Sequence, residues 1–341
     1  MSFQYTKKGL PSLNYRPISL TCIGCKLFES TMKTSIVAHL EANNLMCKAQ
    51  HGFLKKRSTT TNLMELMGDL VENFNKKASS IVAYVDFKKA FDKVSITKLL
   101  HKIKNMGIGG KLLCCLASLL ENRSQRVKVA GNLSESKHVS SGVPQGSVLG
   151  PVLFLIYIND LPASLPAAVT PKIFADDFKC YAKITSSEDL QNFSLAMDRI
   201  TDWAQCWQLP VASDKCSLML FSKTMQLAGG KNLSLDQTQL QPLSKILDLG
   251  VTFEPDLKFK THINLVCVKA KQKLYFMRKR ILSVNDDLLI TIYKMYVLPI
   301  LMYCSPVWSP QTHDDILKLE KIQKKFTKSL PGYRERSVVQ R

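Results

Sequence analysis

What this chain of 341 residues lacks narrows its nature quickly. It has no run approaching the about eighteen apolar residues that a bilayer-spanning helix needs. Its most apolar stretch, "GSVLGPVLFLIYIND", is too short and too interrupted. The start, "MSFQYTKKGLPS", has no apolar core of the kind a secretory leader carries. No internal repeat or low-complexity tract is visible. The 10 cysteines fall in no regular framework, which argues against a disulfide scaffold and for a reducing compartment. A nuclear or cytosolic location is therefore the default expectation, not secretion. Acidic residues are the scarce class: 27 stand against 47 Lys and Arg, for a formal net charge of +20. Hydrophobic residues at 45% and charged residues at 22% are ordinary for a globular protein. The charge imbalance therefore asks for a polyanionic partner, either nucleic acid or an acidic membrane surface.

What is present begins with periodicity. Residues 1–20, with Pro11 and Pro17, read as loop. Residues 24–46 carry a helical rhythm of Leu27, Phe28, Met32, Ile36, Val37 and Leu40. A basic loop or strand, "AQHGFLKKRSTTTN", leads into a helix over 61–74. "SSIVAYVDF" is β-branched and aromatic, a buried strand ending in Asp86. After Asp86, "KKAFDKVSITKLLHKIKNMG" reads as a strand-to-helix turn and a helix stopped by Gly107, "KLLCCLASLLEN" as a second helix and "QRVKVAG" as a short alternating strand. "SSGVPQGSVLGP" is dense in Gly and Pro, so its backbone bends sharply or lies close to something. The pattern predicts a helix through "LFLIYINDL", a helix over 187–205, a strand over 215–221 and a hairpin over 247–259. From Thr261 the chain reads as basic helices. Cys22 and Cys25 of "CIGC", with Cys47 and His51, form one conceivable zinc set. No second tight pair supports it, and packed free thiols are the simpler expectation.

The stretch "KIFADDFKCY" sets two acids side by side in an apolar run of a basic chain. Successive side chains of a strand alternate faces. Asp176 and Asp177 can share a direction only if the chain turns at the pair, so a tight hairpin tip is expected there. With Asp86 at another strand end, three carboxylates make a hard-oxygen set suited to Mg²⁺ or Mn²⁺. Packed together they would repel and raise one another's pKa, a cost that divalent cations reverse. Alone, "ADD" is too short a motif to carry that reading and is more simply a solvated surface turn.

Together the motifs say more. "NYRPISL", "AQHGFLKKRST", "YVDFKKAFDKV", "SSGVPQGSVLGPVLFLIYINDL", "IFADDFKCY", "DKCSLMLF" and "LDLGVTF" occur in this order along the chain. This resembles the reverse transcriptase of non-LTR (LINE-type, jockey-like) retrotransposons, through nearly the whole chain. The "FxADD" form points to that branch rather than to retroviruses.

The resemblance implies an α+β right-hand polymerase with an antiparallel palm sheet packed on helices and a helical thumb. Residues 1–80 would be fingers, 81–255 palm and 256–341 a basic thumb or connection region, with the reverse transcriptase domain at roughly 10–255. It implies RNA-directed DNA synthesis with two Mg²⁺ or Mn²⁺ ions, on partners that are an RNA template, a DNA primer or target, and dNTPs, without a membrane. Asp86, Asp176 and Asp177 match the metal-binding carboxylates, Phe87 would lend a main-chain carbonyl, and Lys215 fits a lysine that protonates pyrophosphate. Phe91 matches the steric gate against the 2′-hydroxyl. Gln145 and Gly146 match the nucleotide pocket, with Gly142 and Gly150 permitting close backbone approach. Arg16, Lys55, Lys56 and Arg57 would hold triphosphate or template. Leu249, Gly250 and Val251 resemble the primer grip. Lys269, Lys271, Lys273 and Arg278 would track duplex phosphates. Two departures stand out: Ala212 and Ser213 lie where the family often has Asn, and there is no room upstream for the usual endonuclease. A shortened copy is the expectation, and a non-catalytic nucleic-acid-binding remnant is the alternative. An RNA-templated RNA polymerase is disfavoured by Phe91.

Overall fold

A computed structural model describes residues 2–4, 17–121, 123–129, 131–222, 233–281 and 285–330. In chain order the first elements are β1 (Ser2–Gln4), β2 (Pro17–Ser19), α1 (Ile23–Ala42), α2 (Thr59–Asn75) and β3 (Ser79–Val85). Then come α3 (Ala90–Lys93), α4 (Ile96–Asn105), α5 (Gly110–Leu120), β4 (Arg123–Gln125), β5 (Val127–Val129), β6 (Asn132–Leu133) and β7 (Lys137–Val139). The middle of the chain forms α6 (Gly150–Ile158), β8 (Thr170–Phe174), β9 (Asp177–Ile184), α7 (Ser187–Cys206) and β10 (Ser217–Phe221). Short strands β11 (Ser234–Leu235), β12 (Thr238–Gln239), β13 (Ile246–Asp248) and β14 (Val251–Phe253) precede the last helices. These are α8 (Lys260–Arg280), α9 (Asp286–Tyr296), α10 (Leu298–Met302), α11 (Ser305–Trp308) and α12 (His313–Thr327).

The described parts of 1–58, 81–218 and 227–241 form one compact unit, and those of 59–80, 219–226 and 242–341 form another. A four-stranded sheet has the order β10-β3-β9-β8. Its β8 and β9 are antiparallel, with Phe174 opposite Asp177. In the first unit the core is centred on α6, whose residues Val152 to Ile158 are all buried. "GPVLFLIYI" is apolar on every side, so it forms a helix with no polar face to show to water. This is where the longest apolar run goes. Among the described residues no helix is long and apolar enough to cross a membrane. Helix α7 is opened by a capping box: Ser186 Oγ accepts from the Asp189 N–H, and the Asp189 carboxylate accepts from the Ser186 N–H. Such a cap stabilises a helix by about 1 kcal/mol. The helix sets Leu190, Phe193, Met197 and Ile200 into the core beside β9.

Periodicity alone misses several features. Residues 17–19 lie in a strand rather than a loop, paired with β1. The helix expected after Asp86 breaks into α3 and α4, because the Val94 carbonyl turns away to accept from the Gly142 N–H at 2.7 Å. Lys102 is buried at 5% exposure. Its ammonium donates to Asp160 Oδ1 at 2.6 Å and to the Tyr157 carbonyl, and it sits 3.6 Å from the Trp207 ring centroid. Loss of water lowers its pKa to about 8, against the pull of Asp160.

In the second unit α8 buries a stripe of Ile263, Val266, Cys267, Ala270, Leu274 and Met277, and packs against α10 and α12. His262 is buried beside Trp308, and its Nδ1 accepts from the Thr252 N–H at 3.2 Å. Desolvation, aided by Lys269, lowers its pKa to about 4.

Candidate functional site

The two acids do sit at a hairpin tip. Strands β8 and β9 close on the pair Phe174 and Asp177, which leaves Ala175 and Asp176 as a two-residue turn. Ala175 has φ of +57°, a left-handed conformation that costs a non-glycine residue about 1 kcal/mol or more. Asp176 is half-buried and Asp177 exposed. The segment 49–52, read only as a loop or strand, lies along β8. His51 donates to the Ile173 carbonyl at 2.8 Å, and Ile173 donates to the Ala49 carbonyl at 2.9 Å. Gln50 reaches the turn itself, accepting from the Ala175 N–H at 3.0 Å.

Asp86 directly follows β3, the sheet neighbour of β9. A second turn backs it. Ala212 donates to the Asp86 carbonyl at 2.7 Å, Lys215 and Cys216 both donate to the Ala212 carbonyl, and the Asp86 N–H points at Cys216 Sγ, 3.4 Å away. This turn holds Lys215 and Cys216 out of the strand, so β10 starts at Ser217 rather than at 215. It also brings Lys215 Nζ to 3.8 Å from Asp86 Oδ2, with side chains 67% and 42% exposed. At that exposure the pair contributes under about 1 kcal/mol. Phe87 is buried and pairs with Val211. The bonds flanking that pair use the Asp86 and Pro210 carbonyls, which leaves the Phe87 carbonyl outside the bridge.

Carboxylate oxygens at strand ends are chemically fit for a hard divalent cation. Among the described residues, however, no group of three or more His, Cys, Asp and Glu side chains is gathered closely enough to hold a metal ion. That applies equally to the zinc set. Cys22 Sγ caps α1 by accepting from the Cys25 N–H, Cys47 Sγ accepts from the Ala49 N–H, and His51 faces Arg57 Nη1 at 3.0 Å.

Phe91 stacks on Phe154, with ring centroids 4.5 Å apart and planes 18° apart. Gln145 donates to Asp92 Oδ1 at 3.0 Å, and its carbonyl accepts from the Ser19 N–H at 2.7 Å. A cavity of about 490 Å³ joins Gln145 and Asp92 to Lys89, Arg123 and His138. Lys89 lies in the motif "YVDFKKAFDKV", whereas Arg123 and His138 fall in none of the quoted motifs. The guanidinium of Arg123 donates to the Leu120 and Gly142 carbonyls, and burial lowers its pKa. Gly142 is where only glycine fits: φ is +87°, and a Cβ would lie 2.7 Å from the Asp92 carbonyl oxygen. At Gly146 and Gly150 too, the close neighbour is the chain's own backbone.

Of the cations expected in a fingers region, Lys55 pairs with Glu41 at 3.0 Å on the surface, and Lys56 is exposed. Arg16 lies outside the described residues. In the second unit, Leu249 and Gly250 form the two-residue turn of the β13–β14 hairpin, both at positive φ. The Tyr303 hydroxyl donates to the Leu249 carbonyl at 2.8 Å. The α8 cations divide at helical spacing between two flanks of its buried stripe. Lys271, Tyr275, Arg278 and Lys279 share one, and with Leu274 and Lys325 of α12 they line a cavity of about 410 Å³. Lys269, Lys273, Phe276 and Arg280 share the other, with Phe276 62% exposed.

The chain is similar to known proteins. Residues 5–253 match the family model described as reverse transcriptase (RNA-dependent DNA polymerase). The chain is 27% identical to the probable RNA-directed DNA polymerase from transposon X-element of Drosophila melanogaster, over 96% of this chain and 37% of that protein. It is also 27% identical to the RNA-directed DNA polymerase from mobile element jockey of the same species, over 94% and 36%. It thus spans a little over a third of the length of these relatives. Among solved structures, telomerase from Candida albicans in complex with the TWJ fragment of telomeric RNA aligns with a TM-score of 0.49 at 12% identity, covering 94% of this chain and 61% of that one. With the family model covering most of its length, the chain belongs to the reverse transcriptase family, with the α+β right-hand polymerase fold and with relatives among the non-LTR retrotransposon enzymes of the jockey group.

Proposed function

We propose that this chain is the catalytic part of an RNA-directed DNA polymerase that extends a primer 3′-hydroxyl with dNTPs. The observation that carries this reading is Asp86 at the end of β3 and Asp176 and Asp177 at the β8–β9 tip, on neighbouring strands of one sheet. Asp86, Asp176 and Asp177, which are not gathered closely enough here to hold an ion, would have to close together to hold Mg²⁺ or Mn²⁺, with the Phe87 carbonyl as a further donor. Two such ions would lower the pKa of the primer hydroxyl and neutralise the departing pyrophosphate.

Lys215 is an exposed ammonium beside Asp86 and serves as proton donor to the pyrophosphate. Phe91 is held by its stack on Phe154, so its ring cannot yield to a 2′-hydroxyl without breaking that contact. Gln145 and Gly146 orient the nucleotide from the rim of the 490 Å³ cavity, where Lys89 and Arg123 add charge for phosphates. Arg16, Lys55, Lys56 and Arg57 steer template and triphosphate. Lys269, Lys271, Lys273 and Arg278 hold the duplex, and Leu249 and Gly250 the primer strand. Residues 1–80, 81–255 and 256–341 then act as fingers, palm and thumb.

The test is primer extension by purified protein on matched RNA and DNA templates with Mg²⁺ or Mn²⁺. Incorporation of dNTPs on RNA supports the reading. Tight, salt-sensitive binding of primer-template without incorporation under either metal would replace it with a non-catalytic nucleic-acid-binding role.

A further inference from the structure

We propose that Gln50 and Gly52 are positioning residues that hold the carboxylate turn in its working conformation, an inference that rests on the polymerase reading of that turn. Gln50 is 2% exposed, and its Oε1 accepts from two main-chain N–H groups, Gly52 at 2.7 Å and Ala175 at 3.0 Å. Both partners are donors, so the atom between them is the amide oxygen. Ala175 is the first residue of the turn, and its N–H lies outside the β8–β9 ladder, which closes at Phe174 and Asp177. The glutamine supplies the acceptor that the ladder cannot, at a residue that is itself 6% exposed.

The Gln50 Nε2 is buried without a hydrogen-bond partner, so the carboxamide is kept in the core for its oxygen. Gly52 completes the clamp from the other side. A Cβ there would lie 2.4 Å from the Ala175 nitrogen and 3.1 Å from its Cα, and backbone cannot swing aside as a flexible side chain would. Gly52 has no positive φ, so the demand at this position is for space alone. The left-handed φ of Ala175 is held only while its surroundings over-determine it. Asp176 and Asp177 follow directly, so a relaxed Ala175 re-aims both carboxylates.

The experiment uses the full chain as wild type, Gln50→Leu, Gln50→Glu and Gly52→Ala. It reads amide hydrogen exchange over 173–177, affinity for an RNA–DNA primer-template, and the Mg²⁺ concentration giving half-maximal extension. Gln50→Leu and Gly52→Ala are expected to speed exchange at the turn by about tenfold or more, the scale of one lost buried hydrogen bond. They are also expected to raise the Mg²⁺ requirement several-fold while leaving primer-template affinity unchanged. Gln50→Glu keeps an acceptor oxygen and is expected to retain the slow exchange at the turn. Should Gln50→Leu not fold, Gly52→Ala carries the same readouts. Wild-type exchange at the turn in both variants, or acceleration spread evenly over the protein, would overturn the proposal. If the wild type extends no primer, the polymerase reading fails, while the exchange measurement still decides the clamp.

Discussion

At the scale of single residues, substitution separates two roles that aromatic and glycine positions can share. Phe91 is both a stacked core ring and the proposed gate. Phe91→Val is expected to raise ribonucleotide use relative to dNTP use by at least about tenfold, within the range one pocket contact can discriminate. Competition assays with paired rNTP and dNTP check this, and unchanged selectivity would reduce Phe91 to packing. Gly142→Ala drives a Cβ to 2.7 Å from the Asp92 carbonyl oxygen at a φ of +87°. It is expected to destabilise the fold by about 1–3 kcal/mol, measured by denaturant unfolding. Tyr303→Phe removes the hydroxyl that caps the Leu249 carbonyl and should cost about 1 kcal/mol, without affecting incorporation chemistry.

At the scale of elements, the α8 flanks make a charge prediction. Replacing Lys271 and Arg278 by Ala, or Lys269 and Lys273 by Ala, removes cations from one flank at a time. Each removed phosphate contact should lower the salt dependence of binding, log Kd against log salt, by about 1. A flank whose loss leaves the slope unchanged does not touch the nucleic acid. Elements with a strong local signal were legible in the sequence. The Ser186 and Asp189 capping box starts α7 where expected, Gly107 follows the end of α4, and a hairpin forms near the expected 247–259, but over 246–253 with its turn at Leu249 and Gly250. The tip at Asp176 followed from strand alternation. Features fixed by distant partners were not legible. Gln50 meets Ala175 across 125 positions, and the strand at 17–19 exists only through pairing with β1. The turn that delays β10 depends on the Asp86 backbone. Local composition carries no trace of such contacts, and Lys89, Arg123 and His138 reach one cavity from three separate segments.

At the scale of the whole molecule, two buried groups make separable contributions to the pH dependence of stability. His262 has its pKa lowered from 6.5 to about 4, so the unfolded chain binds more protons between those values. Stability is therefore lost as pH falls from 6.5 towards 4, and His262→Gln should flatten that part of the profile. Lys102 has its pKa lowered from 10.5 to about 8. Again the unfolded chain holds the proton more tightly, so the Lys102 contribution rises with pH between about 8 and 10.5, while the thiols of Cys180 and Cys216, raised by burial, take stability away over the upper part of that range; Lys102→Met should remove the rising part relative to wild type. Thermal melts of wild type and each variant across pH check both, and a difference between variant and wild type that does not change with pH contradicts them. The net charge of +20 and the scarce acids also fall into place on this scale. On the proposed function, cations spread over both units would serve a polyanion, and the three acids would serve the reaction performed on it. The most direct test of that division is RNA-templated primer extension by wild type, Asp86→Asn and Asp176→Asn at equal primer-template occupancy. The account predicts incorporation by the wild type, and a loss of at least about 10³-fold in each variant with binding unchanged. Extension by either variant at the wild-type rate would contradict it.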